Sequence, residues 1–78
     1  MINSLTARNV AQRLGIDFAD PKVKFTLQEF TVGMNVELEH MDVTKGDLVL
    51  TGKIAHAHLK EVPNYYELLK KYVEKKKL

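Results

Sequence analysis

The sequence predicts an all-α fold, a compact bundle of about four short helices near 4–14, 26–41, 47–61 and 64–77. Three observations predict it. Apolar residues recur three and four apart in three separate segments, the spacing that gathers them on one helix face, and a fourth segment, near the N-terminus, favours helix. The words "FTLQEF", Phe25 to Phe30, carry a complete helix-start signal. No stretch alternates apolar and polar residues for long; "VKFTL" comes closest, and the helix start within it explains it better.

The first helix carries Leu5, Val10 and Leu14 toward the core, with Asn3 or Ser4 as its cap. Gly15 is suited to end it, because glycine adopts the left-handed conformation that closes many helices. "IDFADPKVK" is then a connector. Asp20 precedes Pro21, which disfavours helix there, and Ile16, Phe18 and Val23 are expected to tuck into the core.

The second helix is the clearest. Thr26 and Glu29 make a capping box, and Phe25 and Phe30 a hydrophobic staple around it. Leu27, Phe30, Met34, Leu38 and Met41 follow at helical spacing. Gly33 inside this helix costs about 1 kcal/mol against alanine, which points to close approach of another element. "DVTKGD" reads as a loop, and Asp47 caps a third helix with Leu48, Thr51, Ala55, Leu59 and Ile54 on its apolar stripe. That helix stops near Glu61, since Val62 precedes Pro63. A fourth starts at Pro63 or Asn64. Tyr65, Leu68, Leu69, Tyr72 and Val73 form its buried face, and its lysines the wet one.

The 78 residues are expected to form a single helical domain, 1–78, with a fraying lysine-rich C-terminal end. A chain this short buries roughly 60% of its unfolded surface, so it needs good helix packing. It has no cysteine, hence no disulfide and no thiolate metal site. Its apolar runs are far shorter than the ~20 residues that span a bilayer. The N-terminus shows no basic region followed by an apolar stretch, so no signal peptide is read and a cytoplasmic home follows by default. The net charge of +2 is asymmetric. Residues 1–59 hold six basic and seven acidic residues, whereas 60–78 hold six and three.

Three pieces carry a resemblance: "RLGIDF", "EFTVGMNVELEH" and "TGKIAHAHLKEVPNYYELL". In order and wording they resemble a family of small bacterial and phage proteins classified as a domain of unknown function. Its members carry words like LGIDW, GMNVELEHG and TGKIALAHLNEFPDYYTRL. His40 and His58 match those words. Met41 stands where a glycine often follows, Asn64 where aspartate is common, and His56 at a variable position. The lysine-rich tail after Leu69 is outside the pattern. The resemblance implies no activity.

Two ligand-rich words hold every histidine of the chain: "VELEHMDV", Val36 to Val43, and "HAHLKE", His56 to Glu61. Glu37 and His40, three apart on a helix, are spaced as helical di-metal proteins space their ligands. With His58 and Glu61 they make a candidate divalent-metal set. If helices two and three form an antiparallel hairpin, however, His40 sits near the loop and His58 about eleven residues beyond it. At ~1.5 Å per residue they lie roughly 12–16 Å apart along the axis, so sharing one ion is expected only if the helices cross steeply or a second subunit contributes. The structural alternative has Glu37 and His40 bonding locally and His58 half-buried, bonding across a helix interface. His56 and His58, two apart, point to different faces, and His56 is expected to face solvent.

Tyr66 lies off the predicted buried face of the fourth helix and is a candidate exposed anchor for a partner. Lys70, Lys71, Lys75, Lys76 and Lys77 could draw nucleic acid in a salt-dependent way; they also suit a solvated helix end. "VAQRLGI" looks like the first helix and turn of a helix-turn-helix, but the next helix starts too late for a 3–4-residue turn. For catalysis there is no Gly-rich phosphate loop, nucleophile elbow or clustered aspartate motif. The preferred expectation is a non-enzymatic helical protein acting through protein–protein contacts, as a small oligomer and without a cofactor. Metal binding and then nucleic-acid binding follow as alternatives, and no membrane is expected.

Overall fold

Asn3 opens the first helix, α1 (Ser4–Arg13), its Oδ1 accepting the Thr6 N–H at 2.9 Å. The other end closes as a Schellman motif. Gly15 takes φ +74°, its N–H donates to Gln12 O, and Ile16 N–H donates to Ala11 O. The capping box at the start of α2 (Leu27–Leu38) is complete: Glu29 N–H donates to Thr26 Oγ1, and Thr26 N–H to Glu29 Oε1. Phe25 and Phe30 staple it, with ring centroids 6.4 Å apart and both rings buried. Asp47 caps α3 (Leu48–Glu61) by accepting the Val49 and Leu50 N–H groups. The turn at Val62–Asn64 leads into α4 (Tyr65–Lys76).

The computed structural model describes residues 1–39 and 47–76, with the chain after Lys71 as backbone only. Among the described residues there are four helices and no strand, so the all-α architecture is as expected. None of these helices is long and apolar enough to cross a membrane. His40, Met41 and residues 42–46, where the sequence predicts a loop, lie outside the described residues, as do the side chains of Tyr72, Val73, Lys75 and Lys76 and the whole of Lys77.

The core gathers around α2, which packs on α1, α3 and α4. Phe30, Met34, Ala55 and Leu59 are fully enclosed. The connector contributes Ile16, with Phe18 and Val23 half-buried against it, as expected. Phe18 meets Phe25 edge to face at 5.9 Å. Small residues set the closest crossing. A Cβ added at Gly52 would collide with Val10 Cγ1 and lie 3.4 Å from Phe30 Cζ, so α1 and α2 both reach α3 there.

Two core assignments need correction. Leu5 is 66% exposed, because α1 turns its Ala7, Val10 and Ala11 face inward, and Leu5 lies on the opposite side of the helix. Leu48, the first residue of α3, is also exposed.

Candidate functional site

Glu37 and His58 come together. Phe25 meets His56, Phe30 reaches Gly52 and Glu37 reaches His58, so the contacts between the two segments do not follow the single falling register of an antiparallel hairpin. The expected separation of the two ligand-rich words is thus overturned for this pair. Glu37 Oε2 lies 3.7 Å from His58 Nε2. That is too long for a hydrogen bond, but it is an ion pair whenever His58 is protonated.

The same carboxylate oxygen accepts a hydrogen bond from the Tyr66 hydroxyl at 2.8 Å. Tyr66 is therefore no exposed anchor: it is 4% exposed. The reason is Gly33. A Cβ added there would stand 2.5 Å from Tyr66 Cε2, so the bare helix backbone is the seat of the ring. The close approach expected at Gly33 is this ring. Burial, then the hydrogen bond from Tyr66 to Glu37, push the phenol's pKa well above 10.0.

Tyr65 completes the cluster. Its ring stacks on His58 at 4.4 Å and 20°, and meets Tyr66 edge to face at 4.9 Å. Glu37, His58, Tyr65 and Tyr66 thereby tie α2, α3 and α4 together. His58 takes the role expected of it in the structural alternative, half-buried at a helix interface. Glu61 is exposed, and among the described residues no three His, Asp or Glu side chains gather around a point. Glu37 and His58 are two donors, where a zinc site takes three or four from protein.

His56 is partly buried and tilts over the Phe25 ring at 5.8 Å, not the solvent-facing residue expected. Burial, then the nearby Lys60 charge, lower its pKa below 6.5. Lys70 and Lys71 are exposed on α4.

Sequence reasoning missed Asn35. It accepts Ile2 N–H at 2.7 Å and donates to Ile2 O at 2.9 Å, holding the N-terminal segment as a neighbouring strand would. An asparagine inside a helix is unfavourable unless its amide has such work, and that was the available signal.

The fold and the cluster define a class: a small helical domain braced by an internal polar clamp, with the hydroxyls of Thr31 and Thr51 donating to backbone carbonyls. The chain belongs to the family described as "Protein of unknown function (DUF5661)", which matches residues 7–76. The match runs into the lysine-rich tail, which the words quoted for the resemblance left out. No curated protein and no solved structure matches the chain.

Proposed function

We propose that the protein is a non-enzymatic helical module that works in the cytoplasm through protein–protein contacts, with a second copy of itself as its first partner. The reading is carried by a groove between α2 and α4. Its floor is Leu59 and Tyr66, and its walls are Val32 and Pro63. Val32 is 47% exposed on this wall. Glu67 and Lys70 stand on the rim. An apolar floor with a polar rim is the anatomy of a protein interface.

The second copy is favoured by charge. Glu67 and Lys70 lie three apart on α4, about one turn, with opposite signs. A two-fold axis across the groove sets Glu67 of one copy beside Lys70 of the other, twice. The clamp supports the non-enzymatic reading, because Glu37, His58 and Tyr66 face one another between helices.

Sedimentation velocity over a concentration series tests this. The expected result is a dimer that Val32→Asp weakens by at least tenfold, about 1.4 kcal/mol, while its helical circular dichroism is kept. A chain that stays monomeric at the highest concentration would sink the proposal.

A further inference from the structure

A second concavity lies between the end of the connector and α3, with Leu59 lining both it and the first groove. Its floor is the buried Phe25 and Leu59, and Val23 lines one side. Lys22 and Lys24 line it from the connector, and His56 and Lys60 from α3. No carboxylate lines it.

This gathering is made by the fold. Lys22 and Lys24 are more than thirty residues from Lys60 in sequence, and the first 59 residues carry a net charge of −1. Among the described residues none of the three lysines forms a salt bridge. Asp20, two residues before Lys22, accepts the Lys22 backbone N–H at 2.9 Å. Like charges held around one hollow repel, and a bound anion relieves that repulsion.

We propose that this pocket binds the phosphate group of a small ligand, with Lys22, Lys24 and Lys60 supplying the positive field and His56 a fourth, titratable donor over the Phe25 ring. Lysine ammoniums serve phosphate as point charges, and an apolar floor lowers the dielectric and strengthens them. Phosphate could arrive free or as a nucleoside monophosphate, whose base could also meet the Phe25 edge of the pocket.

The lowered pKa of His56 adds a linked signature. Lys60 on its own helix, and Lys22 and Lys24 from the connector, are the charged groups that line the pocket with it. An anion among them favours the imidazolium, so binding raises the pKa of His56 and, reciprocally, tightens as His56 gains its proton.

The test is an NMR titration of His56 on the full chain at low ionic strength, with inorganic phosphate, a nucleoside monophosphate and ionic-strength-matched potassium chloride in separate arms. Both phosphate probes should raise the His56 pKa saturably, while chloride at matched ionic strength should not. The exposed substitutions Lys24→Gln and Lys60→Gln should each weaken phosphate binding at least fivefold without changing the melting temperature. Tighter binding of the nucleotide would identify it as the source, and equal affinity would identify free phosphate. A response to chloride equal to that of phosphate, or binding unchanged in both lysine variants, would overturn the proposal.

Discussion

Tyr66 keeps its hydroxyl proton more tightly than a tyrosine in water, because its ring is buried on Gly33 and its hydroxyl donates to Glu37. The consequence for stability has a definite sign. Unfolded, the phenol loses its proton near pH 10; folded, it does so higher. Above pH 10 the folded chain therefore holds more protons than the unfolded one, and stability falls as pH rises further. Tyr66→Phe should shrink that alkaline loss. At neutral pH it should cost roughly 1–3 kcal/mol, since the Glu37 carboxylate, 13% exposed at its side chain, loses its donor. Denaturant unfolding at pH 7 and above pH 10 measures both, and a variant as stable as wild type at pH 7 with an unchanged alkaline slope would contradict the clamp. Little of this clamp could be read from the residues alone. Glu37, His58 and Tyr66 are each visible as polar or aromatic words, but their meeting depends on the relative course of three helices. One signal was there to use. Gly33 and Glu37 are four apart on one face of α2, so whatever seats on the glycine meets the carboxylate one turn later.

The starts of the first three helices and the Gly15 ending were legible because their chemistry is local, whereas α2, expected to run to 41, ends at Leu38. The Asn3, Thr26 and Asp47 caps and the Gly15 ending each involve residues within about five positions. The faces of the helices were less so. The expected α4 face omitted Tyr66, since the heptad-like spacing of Tyr65, Leu68, Leu69 and Tyr72 says which residues share a side but not where a neighbouring helix offers a gap. The gap is at Gly33, which makes the α2–α4 crossing testable. Gly33→Ala gains about 1 kcal/mol of helix propensity, yet its Cβ meets a ring fixed at its hydroxyl, and overpacking costs typically 1–3 kcal/mol. The net effect should be a lower melting temperature. If that substitution raised the melting temperature instead, the close seating of Tyr66 on α2 would be wrong.

At the scale of the whole molecule, the residues that carry the family resemblance mostly hold the fold together. In "GMNVE", Gly33 seats Tyr66, Met34 fills the core, Asn35 holds Ile2 and Glu37 joins the clamp. In "TGKIAHAHL", Thr51, Gly52, Ala55 and Leu59 are enclosed and His58 faces Glu37. The proposed function rests on the surface, where the groove between α2 and α4 brings the exposed Val32 together with Glu67 and Lys70. The proposed self-association makes one demand that no internal role of these residues shares. Reversing Glu67 alone (Glu67→Lys) or Lys70 alone (Lys70→Glu) should weaken the dimer several-fold by setting like charges across the two-fold axis. Reversing both in one chain should restore it. Dimer dissociation constants from sedimentation equilibrium for these three variants and wild type provide the most direct measurement. Loss in each single variant with recovery in the double is the predicted result; equal self-association in all four, or none in any, would contradict the account.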